Sequence, residues 1–113
     1  MSRTVFHLQT PEGDGAPTPA EVTVTGEVDA SNVAEFTRSV QDLPGARPII
    51  LELSKVKYLD SAGFAALDRL LAENAVVIVL SPDSFMYRVA ELMCMPIHHD
   101  VEAARRVLRD GAS

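Results

Sequence analysis

The sequence is poor in cysteine and aromatic residues: it has one cysteine, no tryptophan, and 5% aromatics among 113 residues. A lone cysteine, Cys94, cannot form a disulfide within the chain, so we expect apolar packing to stabilise the fold. We also expect the protein to belong to a reducing compartment. Cys94 stands among Leu92, Met93 and Met95, where a small, buried apolar residue is expected. The longest aliphatic run, residues 75–80, is far shorter than the ~18 to 20 residues that cross a bilayer.

Positive charge is also scarce. Lysine and arginine number 10 against 16 aspartates and glutamates, which gives a net charge of −6. Nucleic-acid affinity comes largely from lysine and arginine, so this balance disfavours direct nucleic-acid binding. The N-terminus lacks a basic start followed by an apolar core, the pattern of a secretory signal. We therefore expect a cytoplasmic protein that does not insert into membranes.

Familiar catalytic motifs are missing as well. The sequence has no Gly-x-x-x-x-Gly-Lys loop, no dinucleotide glycine fingerprint, no Gly-x-Ser-x-Gly elbow and no Cys-x-x-Cys pair. Cys94 and His98 would supply two metal ligands where a site needs three or four. We expect that the protein is not an enzyme and that it binds neither a cofactor nor a metal ion. A nucleotide-binding or hydrolytic domain is the least favoured alternative because no phosphate cradle is recognisable.

The composition is otherwise that of a globular domain, with 47% apolar and 23% charged residues. A chain of this length organises one core, so we expect a single domain over residues 1–113. Three prolines and two glycines in residues 10–20 predict a hairpin loop, and residues 110–113 are expected to be a flexible tail. The oligomeric state is left open.

Hydrophobic patterns predict five strands and four helices. The strand segments lie at residues 4–9, 21–29, 48–53, 75–80 and 97–99, the first two as an antiparallel hairpin. The near-continuous apolar runs at 48–53 and 75–80 are typical of central parallel strands. The order β-β-α-β-α-β-α-β-α predicts an α/β fold with a mixed, mostly parallel sheet and flanking helices.

Each predicted helix has an apolar stripe and a capping residue. Ser31 or Asn32 is expected to cap the first helix, with Glu35 completing a capping box if Asn32 is the cap. Ser81 with Pro82 is expected to begin the third helix, and Asp100 the fourth. The residues expected to face inward are, in the first helix, Val33, Phe36, Val40 and Leu43, and in the second, Phe64, Leu67, Leu70 and Leu71. In the third helix they are Val89, Leu92 and Met93, and in the fourth, Val101, Ala104, Val107 and Leu108.

One segment, residues 58–64, runs from a predicted strand end into a helix start. The carboxyl ends of parallel strands are where such sheets present functional groups. Ser61 is expected at the helix N-terminus near solvent, with Ala62 and Gly63 too small to block a partner. The alternative is structural: Asp60 or Ser61 caps the helix, and Gly63 permits close contact between helix and sheet.

The residues Gly26-Glu27-Val28-Asp29, Leu51-Glu52-Leu53 and the run from Leu59 to Leu67 together resemble the STAS domain. This domain is shared by bacterial anti-sigma factor antagonists and the cytoplasmic tails of sulfate transporters, and the resemblance covers about residues 4–109. In the antagonists, the serine after the motif's aspartate is phosphorylated by the anti-sigma factor, itself a serine kinase. By position, that serine is Ser61.

The resemblance implies a STAS-like fold and an anti-sigma factor antagonist that phosphorylation switches off. It implies that Asp29 lies close to Ser61. The implied partner-binding residues are Asp29, Asp60, Ser61, Ala62, Gly63 and Phe64. Leucine is commoner than Phe64 in the family, and a core role for Phe64 is favoured over an exposed one. Glu73-Asn74 and Cys94-Met95 replace glycine-containing turns of the family. An alternative function by resemblance is the small cytoplasmic STAS subunit of a lipid-transporting ABC complex.

Overall fold

The computed structural model describes residues 6–9 and 20–111. The predicted hairpin loop at 10–20 therefore lies outside the described residues except for Ala20. Helix continues through Gly111, so the first two residues of the predicted tail are helical, and the last two lie outside the described range.

The described chain folds into one mixed sheet with flanking helices. The strands are β1 (Phe6–Gln9), β2 (Glu21–Val28), β3 (Ile49–Glu52), β4 (Val56–Leu59) and β5 (Val76–Val79). The helices are α1 (Val33–Gln41), α2 (Ser61–Ala72), α3 (Phe85–Leu92) and α4 (Val101–Gly111). The pair β1–β2 is antiparallel and the other strand pairs are parallel. The predicted α/β fold class is confirmed.

Strand β4 was not predicted as a separate element. β1 occupies one edge of β2, while β3 pairs with the first part of its other edge and β4 with the last part. The two strands thus follow one another along β2, separated by a break at residues 53–55. Lys57 and Tyr58 in β4 are exposed, so the segment lacks the alternation that marks a half-buried strand.

The helices cover the sheet unequally. Alternate residues of β3 and β5 face the larger core cluster, which also includes side chains of α1, α2 and α3. Ile50 and Val79 face the opposite side, where they pack with Ala104 of α4 in a much smaller cluster. Asp100 caps α4 as predicted, accepting a hydrogen bond from the Ala103 N–H at 2.8 Å. Val107, predicted to face inward, is half exposed.

The third helix differs most from its prediction. It begins at Phe85 with Ser84 as N-cap, because residues 81–84 form a turn in which the Ser84 N–H bonds to the Ser81 carbonyl. Met86 and Ala90 are its buried residues. The predicted inward stripe of Val89, Leu92 and Met93 is exposed, as is Cys94.

Two smaller expectations were also inexact. The predicted strand at 97–99 is reduced to a single bridge between Val79 and His98. Asn32 is the N-cap of α1, but its side chain makes no capping bond, so the predicted capping box with Glu35 does not form. The Asn32 side chain instead accepts from the Asp29 N–H and donates to the Glu27 carbonyl.

Candidate functional site

The candidate site lies at the carboxyl edge of the sheet, where β2 and β4 end side by side. Val28 and Leu59 are the last residues of these parallel strands and are paired in register. Asp29 and Asp60 follow them directly, and the Asp60 N–H bonds to the Val28 carbonyl at 3.4 Å. Strand register therefore brings together two aspartates that are 31 positions apart in the sequence.

Asp60 accepts a backbone hydrogen bond at each of its two carboxylate oxygens and so connects α2 to the turn after β2. Oδ1 accepts the Gly63 N–H at 3.0 Å, which makes Asp60 the N-cap of α2. Oδ2 accepts the Ala30 N–H at 3.2 Å, which ties α2 to the turn after β2. The capping role that sequence reasoning gave as the alternative for Asp60 is the one observed. Its carboxylate is engaged within the protein.

Asp29 is held by its own turn. Its Oδ1 accepts the Ser31 hydroxyl at 2.6 Å and the Ser31 N–H at 2.9 Å. These hydrogen bonds, that of the hydroxyl foremost, hold the pKa of the Asp29 carboxyl below its ordinary value, against a smaller opposing effect of desolvation. Asp29 therefore stays ionised at neutral pH and places a fixed negative charge beside the start of α2.

Ser61 is the first residue of α2 and is exposed, as predicted. Within residues 6–9 and 20–111 its hydroxyl makes no hydrogen bond. The helix also leaves amides without intrahelical acceptors at this end, as every helix does. Asp60 accepts from Gly63, so the amides of Ser61 and Ala62 point from the helix N-terminus with no acceptor among the described residues.

Gly63 and Phe64 lie in the interior, where Phe64 has the core role favoured for it and Gly63 the structural role given as the alternative. A Cβ at Gly63 would lie 2.6 Å from Leu59 Cδ1 and 3.2 Å from the Val28 carbonyl oxygen. Gly63 therefore permits close contact between α2 and the sheet. The Phe64 side chain is 6% exposed and belongs to the core. Of the predicted set, Asp29, Asp60, Ser61 and Ala62 remain at the surface.

A groove of about 470 Å³ between α1 and α2 begins beside this site. Its lining includes the small side chains of Ala62, Ala65 and Ala66, together with Arg38 and Arg69. Neither arginine makes an ion pair in the part of the chain that the structure describes. Sequence reasoning missed this groove, because each arginine looks like an ordinary solvated charge until α1 and α2 are known to be neighbours.

The site combines an exposed hydroxyl, a helix N-terminus and a groove. Across the described residues, no group of three or more histidine, cysteine, aspartate or glutamate side chains could hold a metal ion. No described helix is long and apolar enough to cross a membrane. The Ser61 hydroxyl is exposed at the N-terminus of α2, and a helix N-terminus favours added negative charge. The Asp29 carboxylate lies on one side of this position, and the groove with its three alanines begins on the other.

The structure is a small α/β domain in which the Asp-Ser-Ala-Gly segment begins α2 at the carboxyl edge of the sheet. The profile of the STAS domain matches residues 8–92, so the chain belongs to the STAS domain family. Its fold is similar to the crystal structure of an anti-sigma factor antagonist from Mycobacterium paratuberculosis, with 19% identity and a TM-score of 0.65. The similarity covers 93% of this chain and 95% of that one. No match was found among curated proteins.

Proposed function

We propose that this protein is a cytoplasmic anti-sigma factor antagonist that phosphorylation of Ser61 switches off. In the unphosphorylated state it captures an anti-sigma factor, which is a serine kinase, and so releases a sigma factor for transcription. It acts by binding and has no catalytic activity of its own. The observation that carries the proposal is the exposed Ser61 hydroxyl at the first position of α2, in a chain that belongs to the STAS family.

The surroundings of Ser61 suit a switch that changes binding without unfolding the domain. A phosphate there adds about −1.5 to −2 charges at neutral pH. The N-terminus of α2 favours that charge, and the amides of Ser61 and Ala62 are positioned to donate to phosphate oxygens. The same charge lies beside the carboxylates of Asp29 and Asp60, which raises the cost of desolvating this surface against a partner.

The groove between α1 and α2 extends the contact surface beyond the switch. Ala62 belongs both to the helix start and to the groove, so a partner seated on the groove would also cover Ser61. Arg38 and Arg69 are positive groups in a chain of net charge −6 and favour acidic side chains on the anti-sigma factor. A phosphate at Ser61 would then face the acidic part of the partner, which explains release by repulsion.

The direct test is phosphorylation in vitro with the anti-sigma factor kinase and ATP, with the modified residue mapped by mass spectrometry. We expect one phosphate on the wild type, at Ser61, and none on Ser61→Ala. Ser31→Ala is the matched control, since Ser31 is exposed at the same sheet edge but its hydroxyl is bonded to Asp29. Modification of the Ser61→Ala protein would refute the assignment.

The partner is tested by pull-down with three baits: wild type, Ser61→Ala and Ser61→Asp. We expect wild type and Ser61→Ala to retain a sigma-regulating kinase and Ser61→Asp to lose it. The midpoint of thermal unfolding should be nearly unchanged by Ser61→Asp, because an acidic residue in the first turn of a helix is favourable. Recovery of an ABC ATPase by all three baits would support the transporter alternative instead.

A further inference from the structure

The described residues that line the groove between α1 and α2 include two arginines and no acidic side chain. Each of these helices carries one acidic and one basic residue: Glu35 and Arg38 in α1, Asp68 and Arg69 in α2. Both arginines line the groove, whereas Glu35 and Asp68 lie on other sides of their helices. The groove is therefore a positive surface on a chain whose net charge is −6.

The two ends of the groove differ in character. Helix α1 follows β2 and α2 follows β4, and because these strands are parallel, both helices run back from the carboxyl edge of the sheet. Ala62 lies at the end next to Ser61, and Arg69 comes seven residues later, about 10 Å along the helix axis. Beyond Arg69, the Gln41 side chain donates to the Glu73 carboxylate at 3.4 Å and links the two helices. The groove thus spans about two helical turns, from small apolar residues to positive ones.

The walls of the groove favour a helix over an extended segment. Both walls are helices, whose backbone N–H and C=O groups bond along their own axes, and the Thr37 hydroxyl donates to the Val33 carbonyl at 3.0 Å. An extended segment laid here would bury its N–H and C=O groups without partners, whereas a helix satisfies its own. The small side chains of Ala62, Ala65 and Ala66 let the axis of a third helix approach to about 8 Å, the short end of helix packing distances.

We infer that the groove binds one amphipathic helix of the anti-sigma factor, with its small apolar side chains against the alanines and its acidic side chains opposite Arg38 and Arg69. The inference rests on the proposed function and adds to it the form of the partner and a contact besides Ser61. Residues seven positions apart share one face of a helix. An acidic residue of the partner that pairs with Arg69 therefore lies about two turns from the residue that covers Ala62.

Calorimetric titration with the kinase that the wild-type bait retains tests the groove. Ala65 is exposed, so Ala65→Phe fills the groove without disturbing the core, and we expect it to weaken binding at least roughly tenfold. Arg38→Glu and Arg69→Glu should each do the same, because each places like charges opposite one another. Ala65→Ser keeps the residue small and should bind like wild type. Arg88→Glu makes the same charge change on α3, away from the groove, and should also bind like wild type.

A charge rescue then tests the helix. Changing single acidic residues of the kinase to lysine should restore binding to Arg38→Glu or Arg69→Glu, at positions three, four or seven residues apart on one helix. Rescue confined to an extended segment overturns the inference. Full affinity of Ala65→Phe and of both charge reversals, with release by Ser61→Asp intact, overturns the inference and leaves the proposed function standing. A wild-type bait that retains no kinase overturns both.

Discussion

Gly63 determines how closely α2 approaches the sheet at the candidate site. The helix starts directly at the end of β4, so its first turn passes over Leu59 with no room for a side chain at position 63. Gly63 thus has the structural role that the sequence analysis gave as the alternative: it permits close contact between α2 and the sheet. The position of Ser61 at the surface therefore depends on a close contact beneath it.

We predict that Gly63→Ala destabilises the protein by about 1–3 kcal/mol, the usual cost of an overpacked contact. The new Cβ would lie 2.6 and 2.9 Å from Leu59 Cδ1 and Cγ. Urea unfolding measures the loss. In a Leu59→Ala background those two atoms are gone, so the further effect of Gly63→Ala should be clearly smaller. Equal effects in both backgrounds would contradict a clash with Leu59.

Asp29 gives the same site a dependence on pH. Its carboxyl has a pKa below the ordinary value in the folded state, so its ionised form stabilises the fold above the unfolded-state pKa. That contribution is lost as the pH falls through the folded pKa. Because the Ser31 hydroxyl is the largest cause, we predict that Ser31→Ala raises the pKa of Asp29 towards its ordinary value. NMR titration of the Asp29 carboxyl carbon measures it, and an unchanged pKa would contradict this cause.

At the scale of elements, α2 and α3 end in the same way. After each C-cap residue, the next position has a positive φ: 59° at Asn74 and 58° at Cys94. In α2 the Ala75 N–H bonds to the Leu70 carbonyl, and in α3 the Met95 N–H bonds to that of Ala90. These are Schellman endings, which favour glycine. The two left-handed residues, Asn74 and Cys94, thus lie in the segments where this chain replaces the glycine-containing turns of the family.

We predict that Cys94→Gly stabilises the protein by about 1 kcal/mol, because residues with a Cβ are strained at positive φ. Asn74→Gly should stabilise it less, since asparagine tolerates this conformation better than most residues. Thermal unfolding measures both. Cys94→Ala is the control: it removes the thiol but keeps the Cβ, so a gain as large as that of Cys94→Gly would contradict the backbone explanation.

Most elements could be predicted because their periodicity has a single interpretation. The buried runs of β3 and β5 and the stripe of α1 led to the correct assignments. Helix α3 could not be predicted as well, because it is apolar on more than one side. Met86 and Ala90 form one apolar side of α3, and Val89 and Leu92 form another. Their spacing alone does not show which side is buried. Serine followed by proline at 81–82 also resembles a helix start, although the helix begins one turn later.

The candidate site was predicted in part. Ser61 at an exposed helix start follows from the change of pattern at that point. The proximity of Asp29 to the motif entered through family resemblance and depends on the pairing of Val28 with Leu59, which no local pattern contains. The burial of Gly63 and Phe64 depends on the same packing of α2 against the strands. Local sequence therefore located the hydroxyl, and tertiary structure determined which of its neighbours share the surface.

At the scale of the whole molecule, the two faces of the sheet differ in how firmly they are covered. The face beneath α1, α2 and α3 holds most of the buried side chains. The other face has a cluster of three buried residues, Ile50, Val79 and Ala104 of α4, and Arg105 of α4 forms an ion pair with Glu21 of β2. Segments with few buried apolar contacts open at lower free energy than the rest of a domain.

We predict that the amides of α4 exchange with solvent faster than those of α2, through local opening. Hydrogen exchange followed by mass spectrometry measures this. Leu67→Ala should cost about 2–5 kcal/mol of global stability, since Leu67 is fully buried. Leu108→Ala, on half-buried Leu108 of α4, should cost less and should speed exchange mainly in α4. Equal protection of the two helices would contradict the difference between the faces.

The hydrogen bond from the Ala30 amide to the Asp60 carboxylate makes one backbone group a built-in reporter. Its acceptor belongs to the residue next to Ser61, yet Ala30 lies in a different loop. Adding a phosphate or docking a protein at Ser61 redistributes charge around that carboxylate and so shifts the resonance of the Ala30 amide proton. A single isotope label at Ala30 would then report whether Ser61 carries a phosphate or a bound protein, as the proposed function requires.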